Sequence, residues 1–279
     1  MALRCLLLLA VAACASAPRR DAGDQFRVLV YNIHAGKDAT GIDNLERVAR
    51  VVRETGADVV LLQEVDRLTE RSGRVDQVAE LERLTGLRGS FGRTLDYQGG
   101  EYGIAILSRW PVARDTLIPL AVTPPQQRAG GSYEPRGALL AVIARGRDTL
   151  RVLNTHLDPS RDDHYRGQEV DALRTIADQL RAECAPATSS GGWDGCGAVL
   201  AGGDFNATPE SAVQERLRSA GWRDAWAGCG DGDGHTFPVA RPVRRIDYLF
   251  VIAGAQCRAA RVLDADASDH RAVLFVLAR

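Results

Sequence analysis

Apolar residues along the chain follow two alternating rhythms. Phe26-Arg-Val-Leu-Val-Tyr-Asn32 is a β-rich run that ends in polar residues. Leu45, Val48, Ala49 and Val52 then recur at i, i+3, i+4 and i+7, one face of a helix. Asp43 is placed to cap that helix and Gly56 to end it. Ala57-Asp-Val-Val-Leu-Leu-Gln-Glu64 is the next strand, and its unbroken apolar stretch predicts burial on both faces. A second helix is expected over Asp76 to Leu84. Tyr102 to Ser108, Gly137 to Ile143 and Leu150 to His156 read as further strands, the last two joined by a hairpin through Ala144 to Thr149. Val170, Leu173, Ile176, Ala177 and Leu180 make an amphipathic helix. Ala198 to Ala201 is a short buried strand, and Arg245 to Ile252, Arg258 to Leu263 and Ala272 to Leu277 close the chain as strands. Neither an internal repeat nor a linker after residue 25 breaks this order. The pattern gives one α/β domain with mixed sheets packed between helices.

The first residues follow neither rhythm. One arginine, Arg4, precedes an apolar run from Cys5 that closes on Val11-Ala-Ala-Cys14. The run has signal-peptide length and is too short to span a bilayer. The small residues before Cys14 resemble a bacterial lipobox, whose cysteine is lipidated and becomes the mature N-terminus; an ordinary cleavable signal is the alternative. We therefore expect residues 1–13 to be a signal peptide, 14–25 a lipid-anchored tether, and 26–279 the folded domain. Four cysteines then remain, Cys184, Cys196, Cys229 and Cys257, and an even number in an exported chain suggests disulfides. Cys184 and Cys196 bracket a Gly/Ser-rich loop, so the expected pairs are Cys184–Cys196 and Cys229–Cys257, with four free thiols as the alternative.

Composition narrows function by exclusion. The 279 residues carry 35 basic and 36 acidic groups, a formal charge of −1, so bulk attraction to nucleic acid is not the binding principle. Hydrophobic residues at 45% exclude a disordered chain, and no stretch suits a multi-span membrane protein. Lys37 is the single lysine, a compositional bias in an arginine-rich chain.

The chemistry gathers where strands end. Asn32 and His34 follow the first strand, and Gln63-Glu64 end the second. Asn154-Thr-His156 end another, Gly203-Asp204-Phe-Asn206 follow the short buried strand, and Arg245-Ile-Asp247-Tyr and Ser268-Asp269-His270 flank the last strands. Taken singly, each has a bland reading: a turn, a cap or a structural histidine. Together they form an ordered set that can converge on one cleft. The candidate ligands are hard oxygen donors, and there is neither a Cys-x-x-Cys nor a His-Glu-x-x-His, so Mg²⁺ or Mn²⁺ suits them better than zinc.

This set resembles the endonuclease/exonuclease/phosphatase family, which includes pancreatic-type deoxyribonucleases, abasic-site endonucleases, bacterial sphingomyelinases and inositol polyphosphate 5-phosphatases. The match runs from about Phe26 to Ala278. The resemblance implies a four-layer α/β sandwich, two mixed, mostly antiparallel sheets packed face to face with helices outside. It implies Glu64 as the principal metal ligand, with Asn32 and Asp269 assisting. Asp204 would orient or deprotonate the attacking water, and Asn206 would hold water or phosphate. His270 would contact the phosphate with its ring fixed by Asp247, and His156 would stabilise charge or help the leaving group. A tyrosine replaces His156 in abasic-site endonucleases, and His34 stands where those nucleases carry an aspartate, which leaves the number of metals open. Arg136 is either a phosphate clamp or a surface arginine.

The expected activity is that of an exported Mg²⁺- or Mn²⁺-dependent phosphoester hydrolase, a phosphodiesterase in the first instance. The alternatives are an extracytoplasmic nuclease, a phospholipid or inositol phosphate hydrolase, and a non-catalytic binding protein on the same scaffold. Expected partners are a phosphoester substrate and a membrane reached through Cys14, facing the periplasm or cell surface. Nucleic acid enters only as substrate, and no obligate protein partner is evident.

Overall fold

The computed structural model describes residues 25–125, 134–184 and 196–279. The signal run, the tether and Cys14 lie outside the described residues, as does most of the Cys184–Cys196 loop. In chain order the elements are β1 (Gln25–Asn32), α1 (Leu45–Thr55), β2 (Val59–Arg67), α2 (Gln77–Thr85), β3 (Arg88–Tyr97), β4 (Gly100–Ser108), β5 (Val112–Leu120), β6 (Arg136–Arg145) and β7 (Asp148–His156). There follow α3 (His164–Glu183), β8 (Cys196–Asp204), α4 (Ala212–Ser219), β9 (Arg223–Asp224), α5 (Ala225–Cys229), β10 (Asp247–Ala253), β11 (Gln256–Val262) and β12 (Val273–Ala278).

The strands form two six-stranded sheets. Sheet I has the order β11-β12-β1-β2-β4-β3, and sheet II the order β5-β6-β7-β8-β10-β9. Each sheet holds one parallel pair, β1/β2 in sheet I and β7/β8 in sheet II, flanked by antiparallel neighbours. A helix crosses over within each parallel pair, α1 in one and α3 in the other, as parallel strands require. The C-terminal ends of β1, β2, β7 and β8 therefore face the same rim.

Side-chain alternation builds the layers. Val28, Val30, Val59 and Leu61 point inward from sheet I and meet Leu139, Ala141, Val152 and Leu200 of sheet II. Leu29, Tyr31, Val60 and Leu62 point outward and pack on Val48, Ala49 and Val52 of α1 and Leu81 of α2. Sheet II does the same with α3 and α4, where Val170, Leu173 and Leu217 cover Val199, Ala201 and Phe250. Strands covered on both faces explain the unbroken apolar runs. The architecture is the four-layer sandwich that the resemblance implied.

Both expected disulfides are present, with Cα separations of 5.4 Å for Cys184–Cys196 and 5.7 Å for Cys229–Cys257. Three local expectations need correction. Asn44, not Asp43, caps α1: the backbone carbonyl of Asn44 accepts the Arg47 and Val48 N–H groups, while Asp43 accepts from Lys37 Nζ at 2.5 Å. The short strand at Ala198–Ala201 runs the full length from Cys196 to Asp204. Glu64 does not end its strand, because β2 continues to Arg67 through a bulge between Leu62 and Val65. Among the described residues no helix is long and apolar enough to cross a membrane.

Candidate active site

Three neighbouring strands of sheet II carry the centre of the site. His156 at the end of β7 lies in register with Asp204 at the end of β8, and Asp204 in register with Asp247 at the start of β10. Three functional side chains thus sit side by side on one row of a ladder. Gly203 permits this close approach: its φ is +135°, and a Cβ there would lie 1.9 Å from the Thr155 carbonyl oxygen.

Sheet I adds the loop before β12. Ser268 Oγ donates to the Asn32 carbonyl at 2.7 Å and accepts the His270 N–H at 3.3 Å. This seats His270 so that its Nδ1 donates to Asp247 Oδ2 at 2.9 Å. Its Nε2 lies 3.7 Å from Asp204 Oδ2, and His156 Nε2 lies 3.6 Å from the same oxygen. Asn32 Nδ2 donates to Asp204 Oδ2 at 3.1 Å and to Glu64 Oε1 at 3.0 Å, linking the two halves. The Asn206 N–H donates to Asp204 Oδ1 at 2.9 Å. The Asn206 amide donates to the Leu157 carbonyl at 2.9 Å, which leaves its Oδ1 as an acceptor.

Electrostatics sorts these groups. Burial pushes the Asp204 carboxyl up to about 7, reinforced by Asp247 and opposed by His270 and its two amide donors. Burial disfavours the charged form of His270, but the attraction and hydrogen bond of Asp247, with Asp204 and Asp269, win and raise it to about 10. His156 moves the other way: burial, then the positive charges of Arg136 and His270, hold it well below the ordinary histidine range. At neutral pH one imidazole is cationic and its neighbour neutral.

Glu64 reaches the cleft on strained backbone. Its φ of +55° is uncommon for a glutamate, and it sits in the β2 bulge. Asn154, from sheet II, closes the gap that the bulge opens. Its Nδ2 donates to the Leu62 and Ala105 carbonyls at 2.8 and 2.9 Å, and its Oδ1 accepts from Gln63 Nε2 at 2.7 Å. Asn154 and Gln63 are thus buried brackets between the sheets rather than groups in the cleft.

The cleft encloses about 400 Å³ and is lined by Glu64, Arg136, His156, Asp204, Asn206, Asp269 and His270 from the expected set. Asp247 lies behind His270, and Asn32 behind Glu64 and Asp204. Arg136 is not a surface arginine. It is buried at 6% exposure, with Glu134 at 3.5 Å and its Nε without a hydrogen bond. Lys37, paired with Asp43, does not line the cleft.

The same wall holds residues that the sequence did not single out. Arg71 is locked by Asp66 through bonds of 2.7 and 2.8 Å and packs over Tyr97 and Tyr102. Phe237 tilts against the His270 ring at 4.8 Å, and the Arg244 guanidinium lies over Phe237 at 4.7 Å. Tyr102 carried a signal only as the first residue of an apolar strand. Phe237 and Arg244 lie in an irregular segment where periodicity is silent.

On the sheet I side two carboxylates line the cleft with oxygens to spare. Glu64 Oε2 and Asp269 Oδ2 meet no donor among the described residues, and neither carboxylate pairs with an arginine or lysine. Both line the cleft, and such hard oxygen donors suit a divalent cation. Asp204, Asp247 and His270 also approach one another within 4.8 Å. There His270 Nδ1 is taken by Asp247 and its Nε2 faces Asp204, which ties the three groups to one another.

Comparisons with known proteins identify the family and the fold. The family model described as Endonuclease/Exonuclease/phosphatase family matches residues 29–270. YbhP of Escherichia coli strain K12 is 28% identical over 237 residues, 81% of this chain and 84% of the relative. An endonuclease/exonuclease/phosphatase structure from Beutenbergia cavernae is 22% identical with a TM-score of 0.69, over 91% of this chain and 72% of that one. The mannosyl-6-phosphatase Bt3783 of Bacteroides thetaiotaomicron is 16% identical with a TM-score of 0.69, over 91% of this chain and all of its own.

Proposed function

The chain belongs to the endonuclease/exonuclease/phosphatase family of metal-dependent phosphoesterases, and from that premise we propose that it is an exported Mg²⁺- or Mn²⁺-dependent hydrolase of phosphodiesters. The observation that carries the reading is buried Asp204, set between two amide donors and two histidines of opposite charge state. A carboxylate whose affinity for a proton sits near neutrality takes one from water efficiently. Asn206 Oδ1, the acceptor left over, orients that water. His270, held cationic by Asp247, meets the negative charge that grows on the phosphoryl oxygens. Arg136 adds a buried guanidinium to the same oxygens. Neutral His156 donates a hydrogen bond to the departing oxygen. Glu64, Asn32 and Asp269 would hold the cation, which supplies Lewis-acid polarisation of the phosphate.

The apolar leader ending at Cys14 and the two disulfides support export and a lipid tether. Replacing Cys14 with Ser is expected to release the protein from membranes or to block its maturation. Continued membrane association would remove the tether from the account.

The purified protein is expected to cleave a generic phosphodiester with Mg²⁺ or Mn²⁺, to stop on chelation and to recover when the metal is restored. Intact activity in Glu64→Ala, Asp204→Ala and His270→Ala would sink the mechanism. A panel of DNA, RNA, sphingomyelin and inositol phosphates under one metal condition identifies the substrate class. A sugar 6-phosphate belongs in it because a similar structure is a mannosyl-6-phosphatase. Metal binding without turnover on any of them would leave a binding protein on this scaffold.

A further inference from the structure

Three arginines line the cleft, and two of them are matched by carboxylates. Arg71 is locked by Asp66, and Arg136 lies 3.5 Å from Glu134. Arg244 is the third. Among the described residues its guanidinium has neither an ion-pair partner nor a hydrogen bond; it lies over the face of Phe237 at 4.7 Å.

A pinned hairpin sets its position. Phe237 and Arg244 form an antiparallel bridge: the Phe237 N–H donates to the Arg244 carbonyl at 3.1 Å, and the Arg244 N–H to the Phe237 carbonyl at 3.0 Å. The hairpin is bonded in turn to the loop that carries Asp269 and His270. The Val239 N–H donates to the Asp269 carbonyl at 2.7 Å, the Arg271 N–H to the Thr236 carbonyl at 2.8 Å, and Arg271 Nε to the Val239 carbonyl at 3.0 Å. Guanidinium, phenyl ring and the His270 imidazole therefore stand in one column, with contacts of 4.7 and 4.8 Å. Residues 235–244 contain two arginines, Arg241 and Arg244, and neither Asp nor Glu.

We propose that Arg244 is a specificity residue that binds a second phosphate on the substrate, so that the preferred substrate is a phosphodiester carrying a further phosphate group. The inference rests on the phosphodiesterase reading above. A planar guanidinium matches phosphate oxygens in pairs. Stacking on Phe237 fixes its plane in advance, so little side-chain freedom is lost when the anion arrives. Two ring contacts separate Arg244 from His270, which places both within reach of one substrate molecule. Arg71 and Arg136 would divide their charge between substrate and a resident carboxylate, whereas Arg244 has its whole charge to offer. The same chemistry arises from the next phosphate of a nucleic-acid strand and from a phosphate on a polyol headgroup.

Steady-state kinetics test this with two substrate pairs: thymidylyl-thymidine with and without a 5′-phosphate, and glycerophosphoinositol with and without a 4-phosphate. Bis(p-nitrophenyl) phosphate serves as a diester with no second phosphate. In one pair the phosphorylated member is expected to show a kcat/KM about tenfold higher, carried by KM, and that pair identifies the source of the phosphate. In Arg244→Gln the preference should fall below about twofold while bis(p-nitrophenyl) phosphate is cleaved as before. Arg241→Gln changes an exposed arginine of the same hairpin outside the cleft lining, and should keep the preference. The absence of a preference in both pairs would overturn the proposal, and this wild-type result decides even if a variant folds poorly. A preference that survives Arg244→Gln, or is lost equally in Arg241→Gln, would overturn it too. An equal loss on every substrate in Arg244→Gln would reduce Arg244 to a brace for Phe237. Failure to cleave any of the diesters would instead overturn the phosphodiesterase reading, and the proposal with it.

Discussion

Sheet I brings Glu64 and Asp269 to the cleft on irregular backbone: a bulge with a left-handed glutamate, and a loop. Sheet II brings His156, Asp204 and Asp247 on three adjacent strands in register. The carboxylates differ accordingly. Asp204 and Asp247 are 1% and 2% exposed, whereas the Asp269 side chain is 29% exposed. Burial and a low local dielectric raise the proton affinity of Asp204. Partial exposure lets sheet I carboxylates exchange water for metal and phosphate. Regular strands give the fixed spacing that proton transfer needs, and bulged backbone turns a side chain out of the sheet to meet an ion.

The sharpest break of this contrast is Asp204→Asn. It keeps the shape and removes the proton acceptor, so kcat should fall by about 10³-fold, and added metal should not restore it. The pH profile of the wild type tests the same pair. Activity should rise as pH passes about 7, where Asp204 loses its proton, and fall near 10, where His270 loses its own. Bound metal would draw the lower limb to more acidic pH. Folding stability carries the same sign at the alkaline end. His270 is raised from 6.5 to about 10, so its contribution is complete below 6.5 and lost as pH climbs through 10. A denaturant series between pH 7 and 10 would show no decline if the Asp247 pair were absent.

Glu64→Gln probes the other half. It should raise the metal concentration needed for half-maximal activity by about 10- to 100-fold, and excess metal should recover much of the rate. A rate loss that metal leaves untouched would erase the distinction between the two sides.

Asn154→Ala reaches sheet I from sheet II. The Leu62 and Ala105 carbonyls would lose their buried donor, at a cost of about 2 to 4 kcal/mol in chemical denaturation. Weakened metal binding should accompany it, because the bulge that aims Glu64 would lose its brace. Unchanged metal affinity would mean that the bulge holds itself.

Arg136→Lys is the mildest. Replacing a planar fork with a point charge should cost about 1.5 kcal/mol, roughly tenfold in kcat/KM. An effect confined to thermal stability would return Arg136 to a structural role.

Periodicity made much of the fold legible. Central strands such as β2 and β8 are buried on both faces, so their apolar runs are continuous, and α1 shows its buried face as a repeat. The strands β3 and β5 gave no such signal, because each is a sheet edge that carries charged residues and buries little. The small α4 and α5 likewise lie below the length at which a repeat stands out.

The candidate site divides along the same line. By itself the sequence picked out the polar residues at the ends of apolar strands, since they interrupt a pattern that burial otherwise enforces. It also suggested the cysteine pairs, through spacing and parity, and the structure shows both. Only tertiary structure decided that Asn154 braces a bulge instead of lining the cleft, that Arg136 is buried, and that Arg71, Tyr102, Phe237 and Arg244 share the wall. It alone decided that two buried histidines in one site shift in opposite directions, His156 down through burial and Arg136, His270 up beside Asp247. The physical reason is that periodicity records only whether a residue faces the core. Which charges a buried group meets depends on strands far apart in sequence, and those neighbours set its protonation.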